Sequence, residues 1–206
     1  MKVSGEYFDR MYADADDPWQ LASRWYEQRK YAITMAVLPL RRYRHAFEPG
    51  CSIGTLTELL TQRCDHVTSV DLVAAALATA DTRLTAAGCR DRVSLHEGAL
   101  DERWPAGPFD LVVLSEVAYY LDAPLLTEVL RREVPRLAPG ATVLAAHWRH
   151  LVDDYPIGGD EVHEIISATS GLTSIGRYRD DDVVVEAFDT GEGLSVASRE
   201  NVPGAG

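Results

Sequence analysis

Runs of apolar residues with the length of β-strands alternate with segments of helical spacing along most of this chain. The clearest strand is FDLVVLSE (109–116), which is almost entirely apolar and suits the centre of a parallel sheet buried on both faces. A helical segment, VAAALATADTRLTAAG (73–88), ends at a glycine. This alternation predicts a parallel sheet with helices packed on both faces.

The remaining predicted elements continue the same order. They are the apolar run RHAFEPG (44–50), a helix over about 55–63, strand HVTSVD (66–71), strand DRVSLHEG (91–98), a helix over about 123–137, strand ATVLAAH (141–147), helix GDEVHEIISATSG (159–171) and two strands within LTSIGRYRDDDVVVEAFD (172–189). We therefore predict an α/β fold with a Rossmann-like, doubly wound, mostly parallel sheet and a C-terminal antiparallel hairpin. One domain spans 1–189, and the polar segment 190–206 is predicted to be a flexible tail.

Composition limits the partners. The 206 residues carry 20 Lys and Arg against 32 Asp and Glu, a formal charge of −12 that repels nucleic acid and anionic membranes. The acidic start lacks the apolar core of a secretory signal, and no run approaches the roughly 20 apolar residues of a membrane span. We expect a cytoplasmic protein, and the sequence is compatible with a homodimer. Cys51, Cys64 and Cys89 form no C-x-x-C pair, which predicts reduced thiols.

Three segments fall where strands of the predicted sheet end. The stretch FEPGCSIGTLTELL (47–60) places Gly50 and Gly54 at the mouth of a helix, where unpaired N–H groups and an open backbone suit a small ligand. Asp71 ends the next strand, 21 residues after Gly50, close to the spacing at which an acid meets a ribose diol. Ser115 and Glu116 end the central strand. Ligands bind at such carboxyl ends, so the three segments predict a cofactor site.

These motifs resemble a known class of enzyme. The acid-x-Gly-x-x-x-Gly pattern beginning at Glu48, the acid at Asp71 and the run FDLVV are similar to class I S-adenosylmethionine-dependent methyltransferases, over about residues 43–150. The stretch DPWQLASRWYEQRKYAITMAVLP (17–39) leading into YRHAFEPGCSIGTLTELL (43–60) resembles the NodS group more closely. The namesake of that group methylates an amino-sugar nitrogen on a chito-oligosaccharide.

The resemblance implies S-adenosylmethionine as cofactor, with Asp71 accepting both ribose hydroxyls. The implied cofactor-binding residues are Trp19, Tyr26, Arg29, Glu48, Gly50, Ser52, Gly54, Asp71, Leu72, Ala99, Leu100 and Ser115. The chain departs from the class pattern twice. Ser52 replaces the middle glycine of the loop, and Ala99 stands where the class often has an acid for the adenine amino group. Adenine recognition then falls to main-chain groups near Ala99 and Leu100, or to Asp101.

Two rival interpretations use the same fold. An NAD-dependent oxidoreductase requires G-x-G-x-x-G around a pyrophosphate, and Gly50-Cys51-Ser52-Ile53-Gly54 lacks the second glycine. The loop also follows Glu48, whose carboxylate suits a cofactor with an ammonium group and no phosphates. The second rival is a module that binds the cofactor but catalyses no reaction, and an activity assay is what distinguishes it from an enzyme.

Side chains near the predicted methyl group suggest the acceptor. His147 ends the strand ATVLAAH, and an imidazole titrates in the range of a general base for a hydroxyl. Glu116 and Tyr119 are the next candidates, and the Tyr119-Tyr120 pair offers flat faces to a sugar ring. We therefore expect O-methylation of a small carbohydrate or glycoside, with mannosides of bacterial polysaccharide synthesis as the specific case. N-methylation of an amino sugar is the alternative. No metal site is predicted; the alternative is a magnesium ion on oxygen ligands such as the Asp153-Asp154 pair.

The segment before the sheet, residues 1–40, is predicted to act as a lid. Asp17 is placed as the cap of a helix with Pro18 in its first turn, and the segment carries several aromatic side chains. Closure over the ligands excludes water and brings Arg29 to the donor's carboxylate. The alternative is that the rings simply pack on the core.

Overall fold

The computed structural model describes residues 2–205 and is organised around one seven-stranded sheet. Its strands are β1 (Tyr43–Pro49), β2 (Cys64–Asp71), β3 (Val93–Glu97), β4 (Leu111–Ser115), β5 (Thr142–Trp148), β6 (Thr173–Arg179) and β7 (Val183–Asp189). They lie in the order β3-β2-β1-β4-β5-β7-β6. Strands β1 to β5 are parallel, and β7 lies antiparallel between β5 and β6. The predicted Rossmann-like fold with a C-terminal hairpin is confirmed.

Seven α-helices accompany the strands within residues 2–205. They are α1 (Gly5–Asp14), α2 (Trp25–Val37), α3 (Thr55–Leu60), α4 (Ala74–Ala86), α5 (Ala123–Glu133), α6 (Gly159–Ser167) and α7 (Val196–Arg199). The helix predicted over 123–137 is α5 followed by a 3-10 turn, Val134–Arg136. Pro135 explains the change, because proline has no N–H to donate to the carbonyl four residues earlier.

The core has two apolar layers, one on each face of the sheet. Strand β4 contributes to both, because successive side chains point to opposite faces. Val112 and Leu114 pack into one layer, whereas Leu111 and Val113 pack into the other, and all four are fully buried. This arrangement accounts for the nearly unbroken apolar run in the sequence.

The N-terminal segment differs from the prediction in one detail. Asp17 does not cap a helix that contains Pro18; its carboxylate accepts the N–H groups of Leu21 and Ala22 and closes a turn. The helix α2 begins later, at Trp25, and packs against β6, β7 and α3. The turn therefore places residues 17–24 as a connection between α1 and α2.

At the other end of the chain, α7 follows the last strand. Arg199 of this short helix pairs with Asp189 of β7 at 3.0 Å. The division into a domain over 1–189 and a flexible tail stays a prediction. None of the helices within residues 2–205 has the length and apolarity that crossing a bilayer requires.

Candidate active site

A cavity of about 560 Å³ lies at the carboxyl ends of β1, β2 and β4, with α1 and α2 contributing to its other wall. It is lined by most of the residues predicted to form the site: Trp19, Tyr26, Glu48, Gly50, Ser52, Asp71, Leu72, Ala99, Leu100, Ser115, Glu116 and Tyr119. Arg29, Gly54 and His147 are not among its lining residues. The size is within the usual range of ligand-binding pockets, roughly 300–1,000 Å³.

The loop after β1 has the open backbone that its glycines predicted. Gly50 adopts φ +72°, and a Cβ there would lie 2.8 Å from Cγ2 of Val117. Gly54 adopts φ +77° directly before α3, where a Cβ would lie 3.0 Å from that of Ala80 on α4. Gly50 therefore allows the loop to pack closely on Val117, which also lines the cavity, whereas Gly54 allows the loop to pack on α4.

Asp71, at the end of β2, fixes the shape of this loop. One carboxylate oxygen accepts the N–H of Ser52 at 2.8 Å, and the other accepts the N–H of Val73 at 3.0 Å. Burial raises the pKa of Asp71, and these backbone donors oppose that rise. Each carboxylate oxygen has a further lone pair, so the group can accept additional hydrogen bonds from a ligand.

Glu48, at the end of β1, lies beneath the loop. Its Oε2 accepts the hydroxyls of Thr57 at 2.6 Å and Ser69 at 2.9 Å. Complete burial raises the pKa of Glu48 to about 7, although both hydroxyl bonds favour the charged form. The carboxyl group therefore titrates near neutral pH within the cavity wall.

Glu116, just after β4, is a strained and heavily bonded residue. It adopts φ +54°, a left-handed conformation that is rare for a side chain of this size and that clusters at functional sites. Its Oε2 accepts the backbone N–H of Trp148 at 3.1 Å and the hydroxyl of Tyr119. Its Oε1 lies 3.1 Å from the ammonium of Lys30. These contacts hold the carboxylate in one position.

Lys30 and Glu27 are cavity residues that the sequence interpretation missed. Both are on α2 and line the cavity, although Lys30 is only 2% exposed. The Lys30 ammonium lies 2.7 Å from Glu27 and within 5.4 Å of the ring centroids of Tyr26 and Tyr31. The sequence signal for these two cavity residues is a Glu and a Lys spaced three residues apart and flanked by tyrosines. It is weak, because such pairs usually lie on a solvated helix face.

Tyr12, on α1, is a second missed residue. Its hydroxyl forms a hydrogen bond with Oγ of Ser52, so α1 contacts the glycine loop directly. Lys2 adds a second link, because its ammonium lies 2.7 Å from Asp101 on the far side of the cavity. The chain before the sheet thus crosses the mouth of the cavity.

His147 lies behind the cavity wall and is completely buried. Its Nε2 accepts the N–H of Ala118 at 3.3 Å, and its Nδ1 lies 3.2 Å from Nε2 of His163. His163 contacts Glu186 in turn, at 3.2 Å. Burial and the neighbouring His163 lower the pKa of His147 well below its usual value. Both ring nitrogens are engaged, so this placement gives no support to a general-base role.

Arg29 is also directed away from the cavity. Its guanidinium pairs with Asp180 at 2.8 Å and donates to the hydroxyl of Tyr178 at 2.6 Å, both in the region of the β6–β7 hairpin. Arg24, five residues earlier and directly before α2, does line the cavity. No group of three or more His, Cys, Asp or Glu within residues 2–205 is arranged to hold a metal ion.

A sheet of this strand order, with a glycine loop after β1 and an acid at the end of β2, is the architecture of class I S-adenosylmethionine-dependent methyltransferases. The family model described as Nodulation protein S (NodS) matches residues 6–153. The chain belongs to the NodS family. The predicted resemblance to that class and group is confirmed.

Individual relatives agree with this assignment. Nodulation protein S of Bradyrhizobium diazoefficiens is 34% identical over 133 residues, which cover 63% of this chain and 61% of that protein. Nodulation protein S of Rhizobium tropici is 31% identical, over 61% of this chain and 52% of that protein. The matches therefore span roughly half to three fifths of the length of these relatives.

Solved structures share the fold. N-methyltransferase NodS from Bradyrhizobium japonicum, in complex with S-adenosyl-L-homocysteine, superposes with a TM-score of 0.78 at 24% identity, covering 91% of this chain and 98% of that one. A Pseudomonas syringae structure described as a candidate methyltransferase has a TM-score of 0.67 at 34% identity, over 81% of this chain and 99% of that one.

Proposed function

We propose that the protein transfers a methyl group from S-adenosylmethionine to the amino nitrogen of an amino sugar in a small carbohydrate acceptor. The extent of the family match carries this proposal. The match over 6–153 includes the glycine loop and Asp71, and also the helices α1 and α2 that form the opposite wall of the cavity. Similarity that extends to both walls favours a common acceptor chemistry, and the solved relative is named an N-methyltransferase.

The residues on the cavity floor fit the donor. Gly50 lines the cavity beside Val117 with no room for a Cβ, which leaves its main chain accessible to a ligand, and Asp71 has lone pairs available for a ribose diol. Asp101 is already paired with Lys2, which favours main-chain groups of Ala99 and Leu100 as the adenine contacts. Within residues 2–205 the buried hydroxyl of Tyr26 has no hydrogen-bond partner, so it is available to a ligand.

Aromatic rings on the other side of the cavity fit a sugar. Tyr119 and Tyr155 are stacked with centroids 4.7 Å apart, and Tyr120 meets Tyr155 edge-on at 4.9 Å. Trp148 contacts Tyr26 at 5.2 Å, and all five rings line the cavity. Flat rings of this kind bury the apolar faces of a pyranose, whereas the tyrosine hydroxyls can bond to its polar edge.

The environment of His147 favours an amine over a hydroxyl. A neutral amine is already a nucleophile, whereas a sugar hydroxyl requires a base that removes its proton. His147 is buried behind the wall with both nitrogens engaged, and the Glu116 carboxylate accepts two hydrogen bonds and forms an ion pair with Lys30. S-adenosylmethionine supplies an electrophilic methyl group on a sulfonium, and the chain's task is to align the acceptor nitrogen with it. We therefore propose N-methylation in place of O-methylation with His147 as base.

The test is a transfer assay with a methyl-labelled donor. Glucosamine and short glucosamine oligosaccharides with a free amine should be labelled, whereas the matched N-acetylated sugars and methyl mannosides should not. Transfer to mannosides alone would restore the O-methylation hypothesis. Donor binding measured by calorimetry, with no transfer to any sugar, would favour a silent binding module.

A further inference from the structure

A buried cluster of three charges lies in the wall of the cavity. Lys30 is 2% exposed and contacts two carboxylates, Glu27 at 2.7 Å on its own helix and Glu116 at 3.1 Å after β4. Glu27 is itself 6% exposed. Taking ions out of water costs several kcal/mol each, and pairing them often fails to repay that cost in full. The presence of two acidic side chains and one basic side chain in this wall therefore favours a functional role for the cluster over a purely stabilising one.

The two carboxylates of this cluster are not equivalent. Glu116 is held from three sides, by Lys30, by the N–H of Trp148 and by the hydroxyl of Tyr119. Glu27 has Lys30 as its one ion-pair partner among the described residues. Glu27 therefore has fewer partners in the protein than Glu116 and keeps more hydrogen-bonding capacity for a ligand in the cavity.

The charge of the cluster favours a cation. With both acids ionised, Glu27, Lys30 and Glu116 sum to one net negative charge in the cavity wall. Arg24 also lines the cavity, but it is exposed, so water screens its charge. On the β6 and β7 side of α2, Arg29 is neutralised by Asp180. Tyr26 and Tyr31 flank the Lys30 ammonium and are uncharged at neutral pH, because burial raises the pKa of each hydroxyl.

We propose that Glu27 binds the ammonium form of the acceptor and accepts its proton; this inference rests on the proposed N-methylation. The R–NH3⁺ group gives one proton to the Glu27 carboxylate and becomes R–NH2. The nitrogen lone pair then forms the C–N bond while the carbon–sulfur bond of the donor breaks and its electrons return to sulfur. The product is R–NH2⁺–CH3, and Glu27 returns its proton to solvent.

The surroundings of Glu27 suit this role. Glu27 lines the cavity, where its carboxylate can meet a bound ammonium group and accept a proton from it. Burial raises the pKa of Glu27, whereas Lys30 opposes the rise. Lys30 acts as the positioning residue, since it holds Glu27 against Glu116, the fixed acid at the end of β4. The arrangement therefore suits an amine acceptor.

The experiment is a pH–rate profile of the full chain with glucosamine as acceptor. Glu27→Gln should reduce kcat/KM about 100-fold below the pKa of the acceptor amine, at the lower end of general-base effects. The loss should shrink toward unity above that pKa, because the amine is then already neutral. Donor affinity should change less than twofold. Glu128→Gln, an exposed acid on α5, is the matched control and should match the wild type throughout.

Two other results would overturn the proposal. A loss in Glu27→Gln that is the same at every pH indicates a structural role, and no loss indicates that solvent takes the proton. Glu27→Asp keeps a carboxylate and should keep the wild-type pH profile with a lower kcat. The aspartate variant also allows the proposal to be tested if the glutamine variant does not fold. Failure of the proposed function itself is seen separately, because the wild type would then not methylate glucosamine at any pH.

Discussion

The backbone at Gly50 gives the sharpest prediction about the cofactor loop, because the chain contains a matched control. Gly50 and Gly88 have nearly the same conformation, φ +72° and +68°, but their surroundings differ. A Cβ at Gly50 would lie 2.8 Å from Cγ2 of Val117, whereas a Cβ at Gly88 meets nothing within 4 Å. Comparing Gly50→Ala with Gly88→Ala separates the cost of the steric contact from the cost of the backbone conformation.

The left-handed conformation costs a residue with a Cβ about 1–2 kcal/mol. Replacement of glycine also stiffens the unfolded chain, which returns about 0.4–1 kcal/mol in both variants and cancels in the comparison. Overpacking against a fixed neighbour such as Val117 adds about 1–3 kcal/mol at position 50 alone. Gly50→Ala should therefore lower the free energy of unfolding by about 1–3 kcal/mol more than Gly88→Ala.

Chemical unfolding in urea measures the stabilities, and calorimetry with S-adenosylhomocysteine measures the cofactor affinity. Gly50→Ala should lose stability and also bind the cofactor about tenfold more weakly, because relief of the collision with Val117 displaces the loop that lines the cavity. Gly88→Ala should keep the wild-type affinity. Equal stability losses in the two variants, together with unchanged affinity in Gly50→Ala, would refute the assignment of this loop as the cofactor cradle.

Three further predictions follow from the site. Asp71→Ala should weaken cofactor binding by about 2–3 kcal/mol, or roughly 30- to 140-fold by calorimetry, because charge-assisted hydrogen bonds to the ribose are lost; unchanged affinity would contradict the ribose assignment. The lowered pKa of His147 means that the unfolded chain takes up its proton first as the pH falls below about 6.5, so the free energy of unfolding should decrease from pH 7 to pH 5. His147→Phe should reduce that slope in urea titrations, and an unchanged slope would assign it to other groups. Hydrogen exchange should become slower over residues 2–30 when S-adenosylhomocysteine binds, since Tyr12 and Lys2 contact residues across the cavity and a bound ligand would add contacts to this segment; equal exchange with and without cofactor would argue against a lid.

The sheet could be predicted because its pattern is local. Val112 and Leu114 face one core layer and Val113 faces the other, so the apolar run itself records burial on both sides. The glycine loop and Asp71 were also predictable, since φ above zero and the end of a strand leave signals at the residues concerned.

The positions of His147 and Lys30 depend on contacts between distant elements, which no local pattern records. In β5, His147 shares a face with Ala145 and Val143, and α6 covers that face with His163, so the ring is sealed from the cavity. In the sequence, Lys30 is typical of a residue on a solvated helix face. Only the folded structure brings it next to Glu116, which follows β4. These positions follow from tertiary packing alone.

The most direct test of the account is the position of the transferred methyl group. A glucosamine disaccharide with one free amine, incubated with the protein and a ¹³C-methyl donor, should yield a single product whose methyl carbon is bonded to nitrogen in a two-dimensional NMR spectrum. The N-acetylated disaccharide should yield no methylated product under the same conditions. A methyl carbon bonded to a ring hydroxyl oxygen, or equal methylation of the N-acetylated sugar, would contradict the proposed N-methyltransferase.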